Sequence, residues 1–333
     1  GGGGRGGFGR FGSGNGITTS GNAGLNFSKE FTPKMTIGGN TRYSHSDNDA
    51  QSKSETQNIF SNDSSSYYRE TNISRTKSDN IGANFRMEWK PDTLTSIIFT
   101  PDLGYSRTSS SEIGNFETLD GNSEKVNGGK SEYNSNGEGI NFSGRLEYSR
   151  KLNNEGRVFS ASLSGGYDDT YNEGMNYSST EYYQLIAGQK NETIDQKFRY
   201  DNSGFNYRAY ASWVEPIGHS NCIQGTYSFS KRNQESLKNS YARGEDGLYS
   251  VLDTAYSQSY KNDFINQRAS LSFKAQRAKY NYTIGLNVDP SYTKSINFVG
   301  DITLSELKRS VVNGSPMAQF NYMFNKQTNL RIN

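Results

Sequence analysis

The side chains that could do chemistry are few and do not form a recognisable set. Two histidines, His45 and His219, fall at opposite ends of the strands predicted below, and the single cysteine, Cys222, has no partner for a disulfide. Asp47 and Asp49 have an acidic spacing that calcium could use, but we place them in an ordinary polar loop. No Ser-His-Asp triad or paired carboxylates can be assembled. The sequence therefore predicts no catalytic residue, no metal site, no cofactor and no enzyme.

Residues 1–16, GGGGRGGFGRFGSGNG, form a glycine-rich lead. They contain G-x-G-x-x-G and RGG spacings, yet a phosphate-cradling loop needs a strand before it and a helix after it. An RNA-binding segment would have more such repeats and a basic chain, whereas the net charge here is +2. We interpret the segment as a flexible lead or loop, and we predict no nucleic-acid partner.

The composition indicates strands and turns. Only 31% of residues are hydrophobic and mean hydropathy is −0.87, yet there are 23 Tyr and 18 Phe, too many aromatics for a typical disordered chain. No run of ~18 apolar residues exists, which excludes a transmembrane helix from this sequence.

Apolar and polar residues alternate strictly over long segments. In IGANFRMEWK the apolar phase carries Ile81, Phe85 and Trp89, and the same pattern recurs along the chain. This period of two predicts strands with one apolar and one polar face. The polar phase carries a set of charged residues: Arg86, Glu88, Arg145, Glu147, Arg208, Arg268 and Lys274.

Turn signals recur with a regular rhythm. Short turns are predicted at residues 32–34, 91–93, 153–156, 215–218, 276–278 and 326–327, and polar loops lie midway between them, centred near residues 63, 121, 188, 245 and 300. The strands follow one another at intervals of about thirty residues, which is much longer than the ~8–12 residue interval in soluble sandwiches. The rhythm predicts an up-and-down meander with short turns at one end and long loops at the other.

The same phase on every strand favours a transmembrane antiparallel β-barrel over a soluble sheet. A soluble sheet would need a second layer over its apolar face, and no helix is predicted to supply one. In a barrel the apolar phase faces lipid and the charged set lines the lumen. There the charges contact a plug, guide a solute, or simply keep the wall solvated and pair with one another across neighbouring strands. Aromatics near the short turns are predicted to lie at the membrane interface: Phe31, Trp89, Trp213, Tyr280 and Phe324. Four tyrosines are placed in outer loops as candidates for ligand contact: Tyr67, Tyr68, Tyr182 and Tyr183.

Residues 17–333 are interpreted as an incomplete barrel domain. We count eleven strands and the start of a twelfth, and the chain stops early in an upstroke without the final aromatic-ended strand expected of such barrels. Strands this long fit a larger barrel, expected to have 22 strands, of which about 12 lie here.

The runs GITTSGNAGLNFSKEF, SRTKSDNIGANFRMEWKPDTLTSIIFTPDLGYS and YRAYASWVEPIG resemble the outer-membrane β-barrel family of Bacteroidetes, which is similar to TonB-dependent receptors. The resemblance covers nearly the whole chain and implies the outer membrane of a Gram-negative bacterium, lipid contact, a plug domain and TonB complex in the full-length protein, and uptake of an unidentified ligand. The sequence departs from the family pattern in carrying no plug and no TonB-contacting segment. The alternatives are a non-transporting surface barrel that serves adhesion or complex assembly, and a soluble extracellular β-protein.

Overall fold

The computed structural model describes residues 16–60, 64–183, 190–218, 220–324 and 328–332, and these form one antiparallel sheet of thirteen strands without a helix. The strands are β1 (Gly16–Thr32), β2 (Met35–Ile59), β3 (Ser65–Trp89), β4 (Thr95–Leu119), β5 (Lys125–Lys151), β6 (Val158–Tyr182), β7 (Glu192–Ile217), β8 (Asn221–Arg243), β9 (Tyr249–Leu252), β10 (Gln258–Gln276), β11 (Tyr280–Val299), β12 (Ile302–Met323) and β13 (Asn329–Ile332). Within the described ranges, no helix is long and apolar enough to span a membrane.

The strands follow one another in chain order, so the predicted up-and-down meander is confirmed. Each strand pairs with its predecessor and successor, except that the four-residue β9 pairs with the end of β8 while β10 continues the sheet. The path of twelve strands matches the predicted eleven and the start of a twelfth, and β9 was not foreseen.

Asx hydrogen bonds close two of the short turns. The Asp92 carboxylate accepts the backbone N–H groups of Leu94 and Thr95 at 2.8 and 2.7 Å, and Asn153 Oδ1 accepts that of Glu155 at 3.1 Å. Side chains of this type favour turns because they replace a backbone partner.

The turn predicted at residues 215–218 is wrong in position. In the structure β7 continues to Ile217, and the turn begins at Gly218, whose φ of 64° suits glycine. Pro216 is tolerated in the last pair of residues of β7, where little of the hydrogen-bonded ladder remains to be lost.

The register is staggered from strand to strand. The row of paired residues that starts at Met35, the first residue of β2, reaches Gly314, nine residues before Met323 at the end of β12. Its members are Met35, Trp89, Ile97, Tyr148, Ala161, Ala211, Tyr227, Ala269, Val288 and Gly314. The paired rows therefore climb away from the short turns by about one residue per strand, as they do when strands are tilted.

The sheet has two open edges in the described part of the chain. β1 pairs only with β2, and β13 covers only Phe320–Met323 of β12. Apolar side chains at these edges are strongly exposed, with Leu25 at 77% and Val312 at 69%. The predicted closure into a barrel stays a prediction. The glycine-rich lead up to residue 15, His219, and the predicted loop and turn residues 62–63, 187–189 and 326–327 lie outside the described residues.

Candidate functional site: an apolar band and a polar face

One face of the sheet carries a continuous apolar band next to the short turns. Directly paired residues share a face, and the register joins the apolar phases of β2 to β12 into a single surface, which confirms the predicted alternation. Its larger members include Ile37, Tyr43, Phe85, Ile81, Phe99, Leu103, Leu146, Ile140, Leu163, Tyr167, Ala209, Phe205, Tyr227, Leu271, Ile284, Leu286, Phe320 and Val312. Many of them are about half exposed, for example Leu163 at 55% and Leu286 at 53%.

Farther from the short turns the same face becomes charged on every strand of the main sheet path from β2 to β12, which does not include β9. We call this region the ion-pair collar; its first charged positions are Asp47, Asp79, Arg107, Glu138, Asp169, Asp201, Lys231, Asp263, Lys294 and Lys308. Many of these groups pair with a neighbour: Arg75 contacts Asp47 at 2.7 Å, and Lys308 contacts Glu306 at 2.9 Å.

Ion pairs favour the charged form of two collar carboxylates, Asp47 and Glu306. The hydrogen bond from Arg75 lowers the pKa of Asp47 below its ordinary value, and the hydrogen bond from Lys308 does the same for the pKa of Glu306. Asp47 and Asp49 lie within β2 and not in the predicted polar loop, because their partner Arg75 is on the adjacent strand β3. The described residues contain no cluster of three or more potential metal ligands.

Aromatic side chains border the band on both sides. Near the short turns Trp213 donates its indole N–H to Glu215 at 3.1 Å, and Phe159 contacts the Trp213 ring at a centroid distance of 6.3 Å. At the collar, the Tyr43 hydroxyl donates to Asp79 at 2.6 Å and that of Tyr167 to Asp169 at 3.2 Å. Each ring therefore lies at a boundary between apolar and polar surface.

The predicted interface aromatics all lie at the short-turn end of the sheet, partly exposed: Phe31, Trp89, Trp213, Tyr280 and Phe324. The collar-side aromatics were missed. The alternating phase itself could have found them, because Tyr43, Tyr105 and Tyr167 each continue the apolar phase of their strand.

The opposite, polar face carries all seven predicted charged residues. Arg86 lies 3.6 Å from Glu88, Arg145 lies 3.3 Å from Glu147, and Arg268 on β10 lies 2.5 Å from Asp289 on β11. Arg208 and Lys274 have no carboxylate within 4.0 Å in the described part of the chain. The face is thus a mostly neutral Ser, Thr, Asn and Gly surface on which a few cations remain uncompensated.

The four tyrosines predicted in outer loops do not form a group. Tyr67 and Tyr68 lie near the start of β3, on opposite faces, and Tyr182 is the last residue of β6. Tyr183 follows it and is 54% exposed. Tyr68 stacks on Phe116 with ring centroids 6.2 Å apart, so its ring already has a partner within the sheet. The outer-loop placement is wrong for all but Tyr183, because strand pairing persists farther from the short turns than the polar composition suggests.

The predicted pairing of polar-face charges across neighbouring strands is found for Arg268 and Asp289, whereas in the other two pairs the partners lie two residues apart on one strand. Cys222, the free thiol, lies next to a short turn.

A search among family models, curated proteins and solved structures found no match to this chain.

Proposed function

We propose that this chain is part of a transmembrane β-barrel whose apolar band contacts lipid and whose polar face lines an aqueous lumen. The observation that carries the proposal is the order of surfaces on one face: an aromatic rim, an apolar band, a second aromatic rim and then the ion-pair collar. Transmembrane barrels show an outward apolar band between two aromatic girdles and a polar interior. The two faces of this sheet divide in that way.

The dimensions of the band agree with a bilayer. The stagger of nine residues amounts to about 30 Å along the strands, at ~3.3 Å per residue, over nine strand spacings of ~4.8 Å. With the short turns at one level, this corresponds to a strand tilt of about 35°, within the ~35–45° of barrels. The band from Met35 to Tyr43 on β2 would then rise about 22 Å, and the band from Tyr280 to Tyr292 on β11 about 32 Å. These values lie on either side of the ~25 Å apolar band of such barrels.

A soluble two-layer protein is a weaker explanation of the same sheet. Its apolar face would have to be covered by another layer, and the described residues form only this one sheet. A covering protein layer would also leave no reason for the apolar surface to give way to charge on every strand from β2 to β12. A lipid slab supplies that reason, because its polar boundary cuts all strands.

We further propose outer-membrane uptake of the kind found in TonB-dependent receptors. The support is the family resemblance of the sequence together with a polar face that carries uncompensated cations such as Arg208. Hydrocarbon satisfies no backbone hydrogen bond, so the open edges of β1 and β12 would have to be paired in the membrane. A plug domain would gate the lumen, and the TonB complex would energise it.

A non-transporting surface barrel is the second candidate. It is favoured by the length of the strands beyond the band: β2 and β3 each have 25 residues, and the band occupies fewer than half of them. The collar and the loop that contains β9 would then offer a surface for adhesion or complex assembly. A plug domain in the full-length protein would favour uptake, and its absence would favour adhesion or complex assembly.

The membrane assignment is tested with the two tryptophans. Trp89 and Trp213 are the only tryptophans of the chain, and both lie at the short-turn rim of the band. We expect their fluorescence to be quenched when the protein is refolded into vesicles of brominated phosphatidylcholine, most strongly with bromines placed near the headgroups. Folding in detergent-free buffer, with fluorescence indifferent to brominated lipid, would contradict the proposal.

A further inference from the structure

The polar face contains a pocket of about 520 Å³ that spans β6, β7, β8 and β10. Its chemically distinct lining side chains are Asp168, Asn206, Arg208, Arg232, Phe264 and Asn266. A second pocket of about 520 Å³ adjoins it through Asn206. We call the first one the twin-arginine pocket.

The register places the two arginines side by side. Arg208 pairs with Ser230, and Arg232, two residues farther along β8, pairs with Asn206 on β7. They are diagonal neighbours on one face, a relation that puts Cα atoms ~7–8 Å apart and within reach of each other for long side chains. Two guanidinium groups can therefore approach one ligand.

Unlike the other arginines predicted on this face, these two are not neutralised. Arg145 has Glu147 and Arg268 has Asp289, whereas neither Arg208 nor Arg232 has a carboxylate within 4.0 Å in the described residues. Arg232 donates only to the neutral Gln234 side chain, at 3.2 Å. The one acid of the pocket, Asp168, also has no ion pair in the described chain. Asp168 with the two arginines gives the pocket's polar-face side chains a net formal charge of +1, because the side chain of the fourth charged lining residue, Lys231, lies on the opposite face.

We propose that the twin-arginine pocket binds a small organic carboxylate; its role in uptake rests on the proposed function. Guanidinium groups hold carboxylates through paired, charge-assisted hydrogen bonds. Asn206 and Asn266 supply neutral donors and acceptors around that position, and the half-buried ring of Phe264 offers apolar contact to the organic part. Asp168 opposes the bound charge, so it limits affinity and disfavours polyanions.

Binding is measured by calorimetric titration of the full chain, folded in detergent micelles, with benzoate and with its neutral analogue benzamide at fixed ionic strength. Solvent weakens charge-assisted hydrogen bonds to exposed groups, and these arginines are exposed. We therefore expect Arg208→Gln and Arg232→Gln each to weaken benzoate binding by about three- to tenfold. Asp168→Asn should tighten it. Arg150→Gln, the same charge change at an exposed position on the opposite face, should leave it unchanged.

Circular dichroism verifies that each variant keeps the β-content of the parent. The proposal is overturned if benzamide binds as well as benzoate, or if both arginine variants bind benzoate as the parent does. Because the titration needs no vesicle, it fails independently of the membrane proposal. Benzoate binding without insertion into lipid would refute the membrane barrel and support carboxylate binding by the pocket. Insertion without benzoate binding would support the barrel and refute carboxylate binding.

Discussion

Replacing Leu286 with arginine tests the facing of the apolar band directly. Leu286 lies midway between Tyr280 and Tyr292 on β11 and is 53% exposed. It is six positions along the strand from each tyrosine, so at the tilt of about 35° in the proposed barrel it would lie about 16 Å from each rim, near the centre of a hydrocarbon core ~30 Å thick. An arginine at the bilayer midplane costs ~2–4 kcal/mol on the lipid face of a barrel. Leu286→Arg should therefore reduce the equilibrium constant for folding into vesicles by about 30- to 1000-fold.

The matched control is Asn287→Arg, which introduces the same side chain at the next residue, on the polar face. Folding is followed by urea titration in phosphatidylcholine vesicles with tryptophan fluorescence as the signal. We expect a large loss for Leu286→Arg and a change below about 1 kcal/mol for Asn287→Arg, because lumen positions remain hydrated. Equal losses for the two variants, or the larger loss at Asn287, would refute the facing.

Two further predictions concern packing and charge. A Cβ added at Gly39 would lie 2.7 Å from the Asn84 carbonyl oxygen and 2.8 Å from the Phe85 ring, whereas at Gly225 nothing lies within 4 Å. Gly39→Ala should therefore lower the free energy of unfolding by about 1–3 kcal/mol and Gly225→Ala should not; equal urea midpoints would contradict this. Since Arg75 lowers the pKa of Asp47, that carboxylate stabilises the fold above its unfolded pKa, and the contribution is lost as pH falls through the lower folded value. In a carboxyl NMR titration, Arg75→Gln should raise the pKa of Asp47 towards its ordinary value and leave Glu306 unchanged, and Lys308→Gln should do the opposite; identical titration curves in parent and variants would argue against these ion pairs.

The strands and their faces were predictable because alternation is a local property. The spacing of Ile81, Phe85 and Trp89 alone predicts that they share one face of the strand. The end of β7 was harder to predict from the sequence. Pro216 and Gly218 both indicate a break in the strand, and only the pairing of β7 with β8 shows that the turn begins at Gly218. The β9 strand has four residues in a polar loop, too short for any periodicity to be seen.

The ion-pair collar was hidden for a different reason. A polar stretch such as Asp47 to Asp49 resembles a loop when read along one strand, and its partner Arg75 is separated from it by a hairpin. Cross-strand pairs stabilise a sheet only when the register is known, and register depends on the geometry of every turn. The twin-arginine pocket is subject to the same limit, because Arg208 and Arg232 become neighbours only through the β7–β8 pairing.

The stagger of the sheet and the shape of the band support each other. Rows of paired residues climb nine residues between β2 and β12, so a band that followed those rows would drift away from the short turns by about 30 Å. The band instead adjoins the short turns on each of these strands, at Ile37 on β2 as at Phe320 on β12. Its lower boundary therefore follows the short turns, not the hydrogen-bonded rows. A lipid boundary cuts strands irrespective of their register, so a boundary that does not follow the register favours the proposed lipid contact.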